Sequence, residues 1–368
     1  MSFSPAATRP LEPGPQVLRQ QFTQLRRDGL RQRDIAQQLG VSEAALLAAH
    51  TQHSDASLQA TALQPDWAGL MGRLESLGEL MALTRNAACV HEKVGVYRKA
   101  SHNANVGLVL GADIDLRLFY KHWRWGFAVQ DCSGKTAQHS LQFFDEQGQA
   151  VHKVFLRQNS DHGAYAALVQ HYAAPELSTA QPPALAPDAA AQPEPECPDT
   201  QVDVLAFRQA WRDLRDTHEF FGLLKTHGLS RTQALRLAEP QFAQRLSPDC
   251  ALPLLQRGAQ NSVPLMVFVG NRGIIQIHSG AVQRITVLGP WVNVLDPGFN
   301  LHLRADHIAQ AWLVRKPTSD GVVSSLELFD SHGQVIAMFF GVRKPGEPER
   351  QDWRALLQSM PAAQQEAA

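Results

Sequence analysis

The feature that most constrains the fold of this chain is an internal duplication. Residues 140–149 read SLQFFDEQGQ and match residues 325–334, SLELFDSHGQ, at a spacing of 185. At the same spacing, Asn86 falls on Asn271. A period this long is not that of a short-repeat solenoid. The chain is therefore predicted to consist of two pseudo-equivalent halves.

A segment dense in proline, alanine and small polar residues separates the two halves. Such a composition cannot build a core and is typical of a semi-rigid linker. We predict a first repeat half at residues 14–174, a linker at 175–200 and a second repeat half at 201–360. The overall hydrophobic fraction of 44% is sufficient for a sizeable core.

Each half begins with leucine- and alanine-rich stretches at helical spacing and continues with short β-prone runs separated by tight turns. Short strands joined by tight turns predict antiparallel sheets. Helices that precede the strands of each half indicate an α+β fold. Two similar large sheets need cover, and we expect them to stack on each other.

Charge and hydropathy exclude several classes of protein. The formal net charge is −1, which argues against a broad basic surface for nucleic acid or a polybasic membrane anchor. No apolar run approaches the length needed to cross a bilayer, and the first residues lack the apolar segment of a secretory signal. We therefore expect a cytoplasmic protein without membrane insertion.

Residues 201–231 are predicted to form one amphipathic helix. The apolar residues are spaced by three or four, and they are Phe207, Trp211, Leu214, Phe221 and Leu224. His218 falls on the same stripe, so we expect it on the buried face. A histidine there can be a satisfied core residue, a metal ligand or an acid–base group.

The two halves differ at positions that carry chemistry. Residues 27–30 resemble residues 226–229 at a spacing of 199, which pairs His218 with Arg19. At the spacing of 185, Arg117 pairs with His302. A structural residue in a duplicated core would more often recur in both copies. The asymmetry weakens the structural interpretation of His218 until it is no longer favoured over a functional one, although drift after duplication would also produce it.

Residues 31–50 resemble a helix-turn-helix, with Gly40 at the turn and Ser42 as an N-cap. This pattern supports an alternative function, a DNA-binding regulator. The second helix, SEAALLAA, has no lysine or arginine, so two ordinary helices are the favoured interpretation.

The second half contains the sequence Val-Arg-Lys-Pro twice, at 314–317 and 342–345, each at the end of a β run. Adjacent side chains on a strand face opposite sides, so one cation of each pair points inward. Two inward cations would suit a dicarboxylate ligand. Solvated strand ends are the alternative, and on this pattern alone they are favoured.

Long ordered blocks of the sequence resemble one known family. They include LTRNAACVHEKVGVY, GADIDLRLFYKHWRWGFAV, LMVFVGNRGIIQIHSG and LGPWVNVLDPGFNLHLR. The chain resembles the HemS/ChuS/HmuS-like family of haemin-degrading and haemin-transport proteins of Gram-negative haem uptake, from about residue 14 to 358 except the linker. The resemblance implies two tandem repeats with stacked sheets and a haem cleft between a sheet and helices.

The resemblance also implies roles for particular residues. His218 would bind the haem iron from the proximal side, and Arg117 would approach it from the distal side with a catalytic role. Phe119, two residues further along the same strand face, would line the distal pocket. Basic side chains would bind the propionates, namely Arg231, Lys316 and Arg343. The chain departs from some members of the family at Met338, where they have a polar residue.

The function implied is that of a cytoplasmic haem-binding protein of iron acquisition, which receives imported haem. Two versions remain open. The protein either degrades haem with NADH or another electron donor, or it delivers haem to a haem oxygenase. The implied partners are haem, that haem oxygenase and the inner-membrane haem importer.

Overall fold

The structure, a computed structural model, describes residues 14–51, 57–103, 105–176, 182, 196–344 and 346–363. The helices are α1 (Pro15–Arg27), α2 (Gln32–Gln38), α3 (Glu43–Ala48), α4 (Trp67–Gly72), α5 (His162–Tyr172), α6 (Val204–Arg212), α7 (Glu219–His227), α8 (Arg231–Leu237), α9 (Ala251–Gln260) and α10 (Gln351–Gln358). The strands are β1 (Leu58–Ala62), β2 (Gly78–Arg85), β3 (Cys89–Gly95), β4 (Ala100–His102), β5 (Val106–Leu110), β6 (Asp115–Phe119), β7 (Trp125–Asp131), β8 (Gln138–Phe144), β9 (Ala150–Ser160), β10 (Ala243–Leu246), β11 (Leu265–Asn271), β12 (Ile274–Gly280), β13 (Ile285–Leu288), β14 (Trp291–Asp296), β15 (Phe299–Arg304), β16 (Gln310–Thr318), β17 (Gly321–Phe329) and β18 (Val335–Gly341).

The predicted fold class is confirmed. Three helices open each half, α1–α3 and α6–α8, and antiparallel strands follow them. The strands of the described residues form two nine-stranded sheets. Their orders are β1-β7-β8-β9-β2-β3-β15-β14-β13 and β10-β16-β17-β18-β11-β12-β6-β5-β4.

The sheets exchange strands between the halves, which the sequence did not predict. Each sheet takes six strands from one half and three from the other. The exchanged strands are β4–β6 and β13–β15, joined to the opposite half where β6 pairs with β12 and β15 pairs with β3. A residue of the first half can therefore lie on the sheet of the second half.

The two asparagines that correspond in the repeats hold the stacked sheets together. The Asn86 side-chain amide donates to the carbonyl oxygens of Gly270, at 3.2 Å, and Ile336, at 2.8 Å. The Asn271 amide donates to the carbonyl oxygens of Arg85, at 3.0 Å, and Val151, at 2.9 Å. The four acceptors also correspond at a spacing of 185, so the duplication is visible in the hydrogen bonds.

The spacing of 199 proposed for the opening helices is wrong. Gly40 and Gly228 each follow a helix, α2 and α7, with positive φ values of 66° and 62°. The next helix is then capped by Ser42 in one half and by Ser230 in the other, each accepting from the backbone three residues on. These landmarks lie 188 residues apart, so His218 corresponds to Leu30 rather than to Arg19. The first half still lacks a histidine at this position.

The helix-turn-helix geometry is present, but the surface that would bind DNA is not. Helices α2 and α3 flank the turn at Gly40 as predicted. Every side chain of α3 is buried or partly buried, including Glu43, Leu46 and Leu47. Since a recognition helix must expose side chains to the base edges, α3 cannot serve as one without leaving its core.

The predicted boundaries of the two halves and the linker stay predictions, because most of residues 177–195 lie outside the described residues. In the described part of the chain, no helix combines the length and the apolarity that crossing a bilayer requires.

Candidate functional site

The helix predicted at 201–231 is broken into α6 and α7 by a loop at 213–218. His218 immediately precedes α7, and its side chain is 91% exposed. Phe221, which was expected on the buried stripe, is 74% exposed. The prediction that one buried face runs through both residues is therefore wrong.

Local capping explains the break. The Glu219 carboxylate accepts from the backbone N–H groups of Arg215, at 2.9 Å, and Asp216, at 3.2 Å. The Asp216 carboxylate accepts from the backbone N–H of His218 at 2.7 Å. These bonds are like those of a capping box, but they close a turn just before the helix, because the N-cap residue is His218. The spacing Asp216-x-x-Glu219 was a signal for a new helix, and the apolar periodicity masked it.

The imidazole of His218 is held in one orientation. Its Nδ1 donates to Asp216 Oδ1 at 2.6 Å, and no partner for Nε2 is found among the described residues. The hydrogen bonds from the backbone and ring of His218 lower the pKa of Asp216, and the charge of Arg343 adds to the effect. With Nδ1 as the donor, Nε2 carries the free lone pair that a metal ligand needs.

The loop that carries His218 is docked on the tip of the β16–β17 hairpin. The backbone N–H of Ser319 donates to the carbonyl oxygen of Arg215 at 2.9 Å. Asp320, also at the tip, forms an ion pair with Arg343 Nη1 at 3.5 Å. Arg343 lies two residues beyond the end of β18, and the ion pair with Asp320 brings it into the neighbourhood of His218, in agreement with the effect of its charge on Asp216.

Arg231 and Lys316 converge on a carboxylate that the sequence prediction missed. Glu327 is fully buried and binds Arg231 through two bonds, Nε–Oε2 at 2.7 Å and Nη2–Oε1 at 2.8 Å. Lys316 Nζ donates to Glu327 Oε1 at 3.1 Å. Both cations also lie over the ring of Phe220, with Lys316 Nζ 4.4 Å and the Arg231 guanidinium carbon 5.2 Å from its centre. The sequence did contain a signal for this carboxylate, because the residue that corresponds to Glu327 in the first repeat is the neutral Gln142. The two halves therefore differ in charge at this position.

The pKa values of this triad follow from burial and mutual charge. Burial lowers the pKa of Lys316 to about 8, with Glu327 opposing the shift. Burial alone would raise the pKa of Glu327, but Arg231 and Lys316 hold it well below its usual range. The inward direction predicted for the cation of Val314–Pro317 is confirmed, because Lys316 is buried. The triad carries a net charge of +1, so it retains attraction for an anion.

Strand exchange puts Arg117 and Phe119 on the sheet of the second half. Arg117 lies on β6 opposite Ile275 of β12, forms an ion pair with Asp115, and is 31% exposed. From Asp115 a row of facing residues runs across the sheet to Glu327 through Ile277, Phe268 and Met338. Strand β6 is three strands from β18, or about 14 Å. Arg117 and the Glu327 triad therefore share one sheet face.

This face is partly covered and partly open. Helices α6–α8 pack on strands β10 and β16, where Trp211 and Phe207 meet Trp312 and Val314. Beyond them the face presents half-buried apolar side chains, namely Met266, Phe268, Ile275, Met338 and Phe340. A cavity of about 930 Å³ adjoins this strip at Phe268, Ile275 and Met338 and reaches the polar turns at Arg272 and His332.

The residues present fit a planar apolar ligand that carries iron and carboxylates. The site offers one oriented imidazole, an apolar strip and a group of cations, which are the features that haem recognition requires. Met338 accepts a weak contact from Arg231 Nη2 at 3.4 Å, so an apolar side chain lies at the position where the resemblance implied a polar residue in some members of the family. Among the described residues, no three or more of histidine, cysteine, aspartate and glutamate cluster as a separate metal site.

Comparison with known proteins identifies the family. The haemin-degrading HemS.ChuX domain matches residues 40–172 and again residues 228–360. HmuS of Yersinia pestis, a hemin transport protein, is 39% identical over 341 residues, which are 92% of this chain and 95% of HmuS. The crystal structure of holo-PhuS, a heme-binding protein of Pseudomonas aeruginosa, has a TM-score of 0.88 at 46% identity and covers 95% of this chain and 100% of PhuS. ChuS, a heme degrading enzyme of Escherichia coli O157:H7, has a TM-score of 0.85 at 35% identity over 95% of this chain and 100% of ChuS.

The fold and the site thus define a tandem-repeat protein of the haem transport and degradation class. The chain belongs to the haemin-degrading HemS.ChuX domain family. The resemblance found in the sequence is confirmed. The two family matches begin at Gly40 and Gly228, the same glycines that set the spacing of 188 in the structure.

Proposed function

We propose that this chain binds haem on the open face of the second sheet, with His218 Nε2 as the protein ligand to the iron. The observation that carries the proposal is the exposed imidazole whose Nδ1 is bound by Asp216. An imidazole with one nitrogen anchored to a carboxylate is oriented and made more basic for a metal. Holo-PhuS, a heme-binding protein 46% identical to this chain, supports the same ligand class.

The remaining site residues take complementary roles in this proposal. Arg117 would hold the distal side of the haem, where its guanidinium, always protonated, would donate hydrogen bonds to small polar groups. Phe119 adds apolar surface two residues along the same strand face. The propionates meet the net positive charge of Arg231, Lys316 and Arg343.

The direct test is a haemin titration of the wild-type protein, followed by the Soret absorbance. His218→Ala should change the coordination spectrum and weaken binding by more than about tenfold, since losing only the hydrogen-bond partner of a metal ligand already costs about 10- to 100-fold. His171→Ala, at an exposed histidine of α5, is the matched control and should behave as wild type. A His218→Ala protein with the wild-type spectrum and affinity would contradict the assignment.

We further propose that the protein works in the cytoplasm and receives haem from the inner-membrane importer, after which the iron of the haem is released. Release requires either degradation on this protein with NADH or another electron donor, or delivery to a haem oxygenase. Degradation in place would use the redox chemistry of haem itself, with the protein supplying binding and orientation.

Incubation of the purified haem complex with NADH, in the presence of catalase, separates the two versions. Loss of the Soret band with formation of a tetrapyrrole product would establish degradation. A spectrum that changes only after a haem oxygenase is added would establish delivery and overturn degradation in place.

A further inference from the structure

One cation beside His218 has a hydrogen-bonding capacity that the protein does not meet. Arg343 Nη1 is buried and has no hydrogen-bond partner among the described residues. The carboxylate paired with it is that of Asp320, whose Oδ2 lies 3.5 Å away, well beyond the length of a hydrogen bond between charged groups. A buried donor without a partner costs free energy until something accepts from it. Arg343 therefore retains a place for a better acceptor.

The other two cations proposed for the propionates are held more firmly. Arg231 and Lys316 share Glu327, which is fully buried, through bonds of 2.7, 2.8 and 3.1 Å. In contrast, the side chains of Arg343 and Asp320 are 25% and 29% exposed. An ion pair this long and this open to solvent contributes little stability. Of the three cations, Arg343 is thus the one whose carboxylate partner a ligand displaces most readily.

The charge of Asp320 is not needed to hold its own hairpin in place. Asp320 lies at the tip of β16–β17, and its Oδ2 accepts from the backbone N–H of Gly346 at 3.0 Å. The neighbouring Ser319 attaches the tip to the His218 loop by donating its backbone N–H to the carbonyl oxygen of Arg215 at 2.9 Å. Both bonds need an acceptor oxygen and neither needs a charge. The negative charge therefore serves Arg343 rather than the hairpin.

The pair is confined to the half that carries His218. At the spacing of 185, Asp320 corresponds to Lys135 and Arg343 to Gln158, which cannot form an ion pair with each other. The first half nevertheless forms the corresponding strands β7, β8 and β9. The repeat therefore folds without this ion pair, which indicates that the pair belongs to the candidate site.

We propose that Asp320 is a displaceable counter-ion, which yields the Arg343 guanidinium to a carboxylate of the bound porphyrin. The inference rests on the proposed function for the identity of the ligand. The exchange replaces an ion pair of 3.5 Å with charge-assisted hydrogen bonds of about 2.7–2.9 Å. Because Asp320 and the ligand carboxylate compete for one guanidinium, a ligand without carboxylates leaves the pair intact and gains nothing there. Asp320 thus makes the site selective for porphyrins that carry carboxylates.

The test compares the affinity of Asp320→Asn and wild type for haemin, iron-free protoporphyrin and haemin dimethyl ester. The asparagine can still accept from Gly346 but has no charge, so haemin and protoporphyrin should bind about two- to fivefold more tightly, as the strength of exposed ion pairs suggests. The dimethyl ester, which lacks carboxylates, should bind both proteins equally. Asp213→Asn, at an exposed carboxylate of the His218 loop, is the control and should leave all three affinities unchanged.

A double substitution tests whether the effect acts through Arg343. Arg343→Gln should weaken haemin binding, and adding Asp320→Asn to it should have no further effect. Unchanged or weaker haemin binding in Asp320→Asn alone would overturn the inference, because Asp320 would then be irrelevant or would position Arg343 for the ligand. An equal gain for the dimethyl ester would overturn it as well, since the effect would not depend on carboxylates.

The iron-free porphyrin separates this inference from the proposed iron ligand. Protoporphyrin has carboxylates but no iron, so its response to Asp320→Asn does not depend on His218. Haemin binding that is insensitive to His218→Ala, together with tighter protoporphyrin binding in Asp320→Asn, would contradict the iron ligand alone. The reverse result would overturn the role of Asp320 alone, and a wild-type protein that binds none of the three porphyrins would contradict both.

Discussion

At the scale of single residues, the proposed site depends on side chains that hold its ligands in place. Asp216 orients His218, and Glu327 gathers Arg231 and Lys316 over the ring of Phe220. Neither carboxylate needs to touch the haem to affect its binding. Asp216 is exposed and bonded to a histidine, whereas Glu327 is buried between two cations. Removing Asp216 should therefore affect haem affinity, and removing Glu327 should affect stability.

Replacing Asp216 with alanine should weaken haemin binding without loss of the fold. The imidazole loses the acceptor that fixes its tautomer, and such partners are typically worth about 10- to 100-fold in metal affinity. Titration of Asp216→Ala beside Asp213→Ala, at a nearby exposed carboxylate outside this hydrogen bond, measures the effect. Equal affinities for the two variants would show that Asp216 does not orient the ligand.

Replacing Glu327 with glutamine should destabilise the protein. Arg231 and Lys316 would stay buried with one charge partner removed, and breaking a buried ion pair costs about 3–5 kcal/mol. Urea unfolding of Glu327→Gln should show this loss, whereas Glu239→Gln, in the exposed pair with Arg212, should change little. If the urea concentration at half unfolding is the same for Glu327→Gln and wild type, Glu327 does not provide the charge that stabilises the two buried cations.

At the scale of elements, the sequence predicted the strands and sheet type better than the helix around His218. Alternating patterns and turn residues locate antiparallel strands because each signal is local. The stripe from Phe207 to Leu224 continued in phase across the loop at 213–218, so periodicity alone could not reveal the break. The hydrogen bonds of Asp216 and Glu219 stabilise the loop that separates α6 from α7, and Phe221 is exposed despite the apolar pattern.

The joint between the sheets can be tested at its paired asparagines. Asn86→Ala should lower the free energy of unfolding by about 1–3 kcal/mol, because the carbonyls of Gly270 and Ile336 lose their donor. Asn271→Ala should have a similar effect for the corresponding carbonyls. Chemical denaturation of both, with Asn261→Ala at an exposed helix end as the control, measures the two losses. A loss in one variant only would mean that the joint is asymmetric.

At the scale of the whole molecule, buried histidines make stability depend on pH. Burial lowers the pKa of His152 and of His278 to about 3 each, and it lowers that of His91 well below its usual range. The unfolded chain binds protons on these rings below about pH 6.5, whereas the folded chain does not. Above about pH 6.5 these rings are neutral in both states and cost no stability. As the pH falls from about 6.5 towards 3, the free energy of unfolding decreases, because only the unfolded chain takes up the protons.

Urea unfolding at pH 7 and at pH 5 should therefore show lower stability at pH 5. Each of these histidines should contribute up to about 1.4 kcal/mol per pH unit in that window. His152→Gln should reduce the pH dependence, while His171→Ala should leave it unchanged. A pH dependence identical in His152→Gln and wild type would assign the effect to other groups.

The arrangement of the whole molecule was also where sequence reasoning stopped. The repeat predicted two similar sheets but could not say which strands each would contain, because pairing β6 with β12 is a long-range choice without a local signal. The prediction that Arg117 and His218 act together came from family resemblance. The exchange is compatible with it, since it places a first-half strand in the sheet on which the second-half helices pack.

The exchange of β4–β6 also has a consequence for synthesis of the chain on the ribosome. Strand β6 has β5 on one side, and its other partner is β12, which begins at Ile274. At typical translation rates, the unpaired edge of β6 waits on the order of ten seconds or more before β12 emerges. During that interval a nascent chain exposes Leu116 and Leu118, which end up fully buried, and is open to capture by chaperones or by another nascent chain.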